Sequence, residues 1–389
     1  MADSANVWLC RDLKFETPKY IALKILMADE STDHCREFLR VNKLKEIGLD
    51  REAGGKYICL PLDQFRINGP NGSHLCFVYP VAGPRVSCIL HVLKGSEDPD
   101  RTSRKIGLQA VQAMATLHSL GICHGDFTPT NILLRISGLD GLQEEEVFQA
   151  LGEPELAQVL TNSGECPSQP TAPKYLVRPV DFHKVDSQFV TDQVCLIDFG
   201  ESFEASAPPE DLGIPEGYRS PELILDHAAG IGSDLWALGC TLFEIRTGRR
   251  LFSLFDDDVD DHLYFMVLLL GKLPEPWWTT TWGARKECFE DEADSEGRAI
   301  KTTSVSGGTD REGITGVLNP SVAREPRSIQ EALAPGLWYV NMGIENEIHC
   351  DIPRDEMEVF ADLLGKLLKY NPNGRLSASA VQNHPWFKM

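Results

Sequence analysis

Two short segments constrain this 389-residue chain more than any other feature of it. One is His124–Leu134, HGDFTPTNILL, and the other is Cys195–Phe203, CLIDFGESF. Each sets an aspartate at the edge of an apolar, strand-like run, where polar side chains can converge on a ligand. An aspartate followed five residues later by an asparagine suits phosphoryl transfer. Asp126 can orient an attacking hydroxyl and accept its proton. Asn131, with Asp198 of the D-F-G, offers the oxygen ligands that Mg²⁺ requires. Either segment alone also occurs in structural turns. Both together, in this order, point to one chemistry.

The rest of the chain reads as a β-rich start followed by helices. Tyr20–Leu26 (YIALKIL) and Leu75–Val81 are apolar strands, the first carrying a single lysine, Lys24. Apolar residues at 38, 41 and 44 predict a helix over 33–44, and those at 106, 108, 111, 114, 117 and 120 predict one over 103–120 that ends at Gly121. The stretch 233–246 (SDLWALGCTLFEIR) is apolar on nearly every face and reads as a fully buried helix. A further amphipathic helix is expected over 355–369. Residues 137–193 and 283–330 are polar and read as insertions made of loops or disorder, the first with a helix near 144–160.

Charge and cysteine usage exclude several classes. Thirty-seven Lys and Arg against 58 Asp and Glu leave a net charge of −21, which argues against direct nucleic-acid binding and permits a basic protein partner. The 11 cysteines include no C-x-x-C pair and no framework spacing, as expected of a reduced intracellular protein, cytoplasmic or nuclear. The first residues lack a leader pattern, and the most apolar run, Leu263–Leu270, is too short to cross a membrane.

With these segments in place, the chain resembles the eukaryotic protein kinases. Ala22-Leu23-Lys24 matches the A-x-K of that family's third strand, and Glu37, thirteen residues on, is the best match to the helix glutamate that pairs with the lysine; Glu30 and Glu46 fall near the helix ends. Ser220-Pro221-Glu222 matches A-P-E, Asp234–Gly239 the buried D-x-W-x-x-G helix, and Arg375 the arginine that pairs with the A-P-E glutamate. Among kinases the chain is most similar to the serine/arginine-rich protein kinases of fungal type, on VWLCRD, GYRSPELIL, HLYFMVLLLGKLPE, the terminal HPWF and the insertion ahead of D-F-G. The resemblance implies an α+β bilobal fold. A small β-rich N-lobe would end near residue 82, and a mostly helical C-lobe over 83–389 would carry insertions at about 137–193 and 283–345. ATP and Mg²⁺ would lie between the lobes. Lys24 and Glu37 would position the phosphates, Asn131 and Asp198 would hold the metal, and Asp126 would orient the substrate hydroxyl. Tyr79 would be the gatekeeper, Pro80, Val81 and Ala82 the hinge, and Val7, Ala22 and Leu133 would sandwich the adenine. The implied substrate is serine in Arg-Ser-rich basic proteins, the enzyme acting as a monomer, with the acidic run Asp256–Asp261 holding the substrate or simply forming a solvated loop.

Three departures from the family pattern bear on activity. No glycine precedes Gly48, so the first strand and the glycine-rich phosphate loop are expected to be absent. The intact downstream residues favour a truncated chain over a degenerate kinase. Thr128 stands where most serine/threonine kinases carry a lysine against the transferring phosphate, so turnover is expected to be slow unless another cation substitutes. Gly125 replaces the H-R-D arginine, which implies activity independent of loop phosphorylation. Two other readings stay open: a catalytically impaired scaffold that binds basic proteins, and a small-molecule phosphotransferase, whose H-G-D this chain shares. D-F-G, S-P-E, the buried helix and Arg375 tell against the second.

Overall fold

The computed structural model describes residues 5–49, 52–88, 96–168, 172–182, 184–253, 258–295, 297–302, 327–339 and 348–389. In chain order the elements used below are β1 (Ala5–Arg11), β2 (Tyr20–Leu26), α1 (Arg36–Glu46), β3 (Asp63–Gly69), β4 (Gly72–Pro80), β5 (Ala82–Arg85), α2 (Pro99–Ser119), β6 (Ile122–Cys123), β7 (Ile132–Ile136), α3 (Glu144–Leu151), β8 (Leu156–Gln158), β9 (Tyr175–Val177), β10 (Val190–Leu196), β11 (Phe203–Glu204), α4 (Pro221–Leu225), α5 (Ile231–Thr247), α6 (Val259–Leu270) and α7 (Arg354–Leu367).

Contacts divide the chain into two compact units. The first comprises Met1–Thr102 and Ile132–Gly200. Its main sheet is antiparallel with order β1-β2-β4-β3, and a second sheet has order β10-β7-β5. In that second sheet β7 and β10 pair alongside β5, which puts Ile132–Gly200 in the same unit as the residues up to Thr102. The main sheet's register sets Val7 opposite Lys24, Leu9 opposite Ala22, and Ala22 opposite Tyr79. Opposed residues share a face of an antiparallel sheet, so Val7, Ala22, Lys24 and Tyr79 lie on one face. The expected strands over 20–26 and 75–81 are both present.

The first insertion is more ordered than its polar composition suggests. The helix near 144–160 stops at Leu151, where Gly152 takes φ 92° ahead of Glu153-Pro154. Short strands β8 and β9 then form a hairpin. Leu139, Val147, Ala150, Leu151 and Val185 pack into a cluster with Tyr20 of β2. Polar contacts tie the two together as well: the Tyr20 hydroxyl donates to the Leu142 carbonyl at 2.9 Å, and Gly141 N–H donates to the Pro18 carbonyl at 2.8 Å.

The second unit comprises Ser103–Asn131 and Glu201–Met389. Its centre is α5, where all but a few residues are buried, as the all-round apolar pattern requires. Trp236, Leu238, Leu242 and Phe243 of α5 are each at most 1% exposed. Helix α7 spans the expected 355–369 stretch except its last two residues, and Phe360 of α7 stacks on Trp386 of the terminal HPWF at 4.1 Å. The second insertion also carries structure: residues 289–293 pair with 299–301, and a short helix covers Ile329–Leu333. Residues 303–326 lie outside the described residues. No helix among the described residues is long and apolar enough to cross a membrane.

Candidate active site

In the first unit, Lys24 is the only charged residue of β2, and the sheet register brings it beside the start of α1. Its Nζ donates to both Glu37 oxygens, each at 2.7 Å. Glu37 is the second residue of α1, whereas Glu30 lies in the preceding turn and Glu46 is the helix's last residue. The periodic face of α1 explains the choice, since Glu37, Val41 and Leu44 are its buried residues. The Tyr79 hydroxyl donates to Glu37 Oε1 at 3.2 Å. Burial disfavours the Lys24 ammonium, but Glu37 and then Asp198 outweigh it, and Lys24 titrates above its ordinary value. Asp198 therefore lies within electrostatic reach of Lys24.

Asp198 adopts φ 63°, a left-handed conformation uncommon for a residue with a side chain. Its Oδ1 accepts the Gly200 N–H at 3.4 Å. Pro80, Val81, Ala82 and Leu133, like Ala22 and Tyr79, are half-buried in this unit, and Val7 is 65% exposed on the edge strand β1.

The second unit holds the H-G-D segment. Asp234, near the start of α5 and 3% exposed, anchors it from below. One of its oxygens accepts the His124 N–H at 2.7 Å and His118 Nε2 at 3.0 Å; the other accepts the Gly125 N–H at 3.0 Å. Burial pushes Asp234 towards neutrality, but His118 and these donors hold its carboxyl below the usual range. Thr241 of α5 adds a bond to the Phe127 carbonyl at 3.0 Å. The aspartate of D-x-W-x-x-G thus positions the backbone on which Asp126 stands. Asn131 closes the loop: its Nδ2 donates to the Asp126 carbonyl at 2.9 Å and to Asp126 Oδ2 at 2.7 Å. With its nitrogen committed to Asp126, the oxygen of the Asn131 amide is the end suited to a cation.

The structure also accounts for Gly125. It takes φ 79°, and a Cβ there would stand 2.3 Å from the Glu201 carbonyl oxygen. Glu201 in turn accepts the Gly213 N–H at 2.9 Å through Oε2. Arg219 Nη2 donates to the Leu212 carbonyl at 2.8 Å and, at 3.3 Å, to Asp211. The segment between D-F-G and S-P-E is braced by its own side chains. Thr128 is 1% exposed and shares a 2.7 Å hydrogen bond with Thr130, so it contributes no charge. Further on, Arg375 donates to both oxygens of Glu222 at 2.6 and 2.7 Å, the pair expected from the sequence. What sequence reasoning missed is the hydroxyl of Tyr79 on Glu37 and the carbonyl of Glu201 over Gly125; neither has a sequence signature, because both depend on tertiary distance.

The family model for the protein kinase domain matches residues 185–387, more than half of the chain. The chain belongs to the protein kinase family. It is 26% identical over 373 residues to the serine/threonine-protein kinase AFC3 of Arabidopsis thaliana, covering 96% of this chain and 76% of that protein. It is 29% identical to the serine/threonine-protein kinase SRPK of Physarum polycephalum (73% and 68% covered) and 23% identical to protein kinase dsk1 of Schizosaccharomyces pombe (99% and 78%). A solved kinase domain superposes with a TM-score of 0.60 over 100% of this chain and 92% of the other, at 18% identity, which shows the shared fold. This kinase is of the serine/threonine type, and its phosphoryl donor is ATP.

Proposed function

We propose that this kinase transfers the γ-phosphate of ATP to serine in Arg-Ser-rich basic proteins, with Mg²⁺ as cofactor. The observation that carries the reading is the Asp126 carboxylate, seated on Asp234-anchored backbone and held by Asn131 at 2.7 Å. A carboxylate so fixed can orient a serine hydroxyl and take its proton as the oxygen–phosphorus bond forms. Lys24, kept charged by Glu37, supplies the ammonium for the nucleotide's phosphates. The donor set fits Mg²⁺, which takes oxygen ligands: the Asp198 carboxylate and the Asn131 amide oxygen would hold it. When bound, the ion neutralises charge on the transferring phosphate. Thr128 adds nothing to that neutralisation, so turnover is expected to be slow relative to a lysine-bearing kinase unless another cation substitutes.

The substrate class is supported by charge. Of the acidic run, Asp256 and Asp257 lie outside the described residues. Asp258 caps α6 by accepting the Asp260 N–H at 2.7 Å, and Asp260 accepts Trp282 Nε1 at 2.8 Å. Both stay exposed, so their structural roles leave their charge available to a basic peptide. The experiment is Mg-ATP-dependent transfer of labelled phosphate to an Arg-Ser peptide and to the same peptide with Arg replaced by Ala. Asp126→Asn should lower transfer by about 10²–10⁴-fold. Equal transfer by both proteins sinks the catalytic reading; equal transfer to both peptides sinks the substrate reading.

A further inference from the structure

The structure assigns Tyr79 a role as positioning residue for Glu37, fastening the first turn of α1 to the sheet. This rests on the reading of Lys24 and Glu37 as the phosphate-positioning pair. Helix α1 begins weakly. Cys35 occupies the capping position and makes no side-chain hydrogen bond to the helix start, so the N–H groups of the first turn gain nothing from it. Glu37 is the second residue of that uncapped turn and is 8% exposed. A first turn that frays carries Glu37 away from Lys24.

Two strands oppose that loss. From β2, Lys24 donates to both Glu37 oxygens at 2.7 Å; from β4, the Tyr79 hydroxyl donates to Oε1 at 3.2 Å. The register makes these neighbours: Lys24 faces Phe77 and Ala22 faces Tyr79, so Tyr79 lies diagonally across from Lys24 on the same face. The Tyr79 ring lies 6.3 Å from Phe77 and packs on the Leu26–Leu75–Phe77 cluster, against which Phe38 of α1 also packs. Its position is thus set by the core, not by the hydrogen bond. Burial, reinforced by the charge of Glu37, pushes its hydroxyl far above the ordinary tyrosine range, so it remains a donor. Further along α1, Gln64 Nε2 donates to Asn42 Oδ1 at 3.0 Å, which holds the middle of the helix but not its start. A lysine is a flexible tether whose ammonium must also serve phosphates; a tyrosine is a short, rigid one, and among the described residues the Tyr79 hydroxyl bonds Glu37.

Tyr79→Phe keeps the ring and removes the donor. On the full chain without nucleotide, hydrogen–deuterium exchange of peptides covering residues 36–40 should quicken about tenfold, while those over α5 stay at the wild-type rate. Because nucleotide must then select the fastened state, KM for ATP should rise by a larger factor than kcat falls. In a Glu37→Ala background, where the acceptor is gone, adding Tyr79→Phe should change exchange of 36–40 by less than twofold. Wild-type exchange in Tyr79→Phe, or an undiminished effect in the Glu37→Ala background, overturns the assignment. The exchange readout needs no catalysis, so it stands apart from the outcome of the Asp126→Asn transfer assay.

Discussion

Arg375→Met should destabilise the second unit severely, and the structure allows the size to be worked out. The guanidinium is fully buried and the Glu222 side chain 6% exposed, with the two N–O distances at 2.6 and 2.7 Å. Arg375 also donates to the carbonyls of Lys369 and Gly232, each at 2.8 Å, and stands 5.1 Å over the Trp236 ring. Methionine fills much of the volume but strands a carboxylate and two carbonyls in the interior. Breaking a buried ion pair from one side costs about 3–5 kcal/mol. Losing the contact with Trp236 adds roughly 0.5–2 kcal/mol. A cost of about 4–6 kcal/mol corresponds to a fall in Tm of roughly 8–24 °C at about 2–4 °C per kcal/mol for a unit of this size. Urea denaturation of the full chain, followed by tryptophan fluorescence, reads the loss. The informative comparison is the double variant Arg375→Met with Glu222→Leu. If the cost comes from a stranded charge, removing that charge as well should recover about 1–3 kcal/mol relative to Arg375→Met alone. A single-variant cost under about 1 kcal/mol, or a double variant whose cost equals the sum of the two singles, would refute the reasoning, because the pair would then not be electrostatically isolated.

Other outcomes follow from the same geometry. Gly125→Ala must hold φ 79° with a Cβ pressed on the Glu201 carbonyl, so it should lose at least about 1–2 kcal/mol from backbone strain alone, checked by thermal melting; an unchanged Tm would show that the loop has room. Wild-type protein with Mg-ATP at ~100 times its dissociation constant should gain about 2.7 kcal/mol, and Lys24→Met should lose most of that gain. Stability should fall in acid. Asp234 is held low by His118 and Gly125 against its burial, and Glu356 by Arg246, at 2.7 and 2.9 Å, and by Trp386. Each carboxyl binds its proton more readily unfolded than folded, so its contribution is present above about pH 4 and is lost as pH falls through the folded value. Urea midpoints between pH 3 and 7 should decline below about pH 4, and Glu356→Gln should flatten the decline; a steeper decline in that variant would contradict the assignment.

The ordered part of the first insertion shows where pattern reading stops. Val147, Ala150 and Leu151 repeat at the helical period within one short helix, but Leu139 and Val185 are spread among polar residues, and no pattern says what the group packs on. They become core because Tyr20 lies far away in sequence and next to them in space. Conversely, α1, α2, α5 and α7 were legible to within a few residues because a helix that buries one side, or all sides, must repeat its apolar residues at the helical period.

The same division runs through the site. The sequence by itself determined the fold class and the family and singled out Lys24, Glu37, Asp126, Asn131 and Asp198 as candidates, because residue types at fixed local spacings carry that information. Glu37 could be chosen over Glu30 and Glu46 from helical position alone. Tertiary structure decided what holds those residues: Tyr79 on Glu37, Asp234 under His124 and Gly125, and the Glu201 carbonyl in the space where an arginine would stand. Even the departure at Gly125 changes meaning. In the sequence it is an arginine lost, while in the structure it is the residue that leaves room for the Glu201 backbone. Hydrogen bonds and steric exclusion act over about 3 Å, and which groups come that close depends on the packing of segments far apart in the chain.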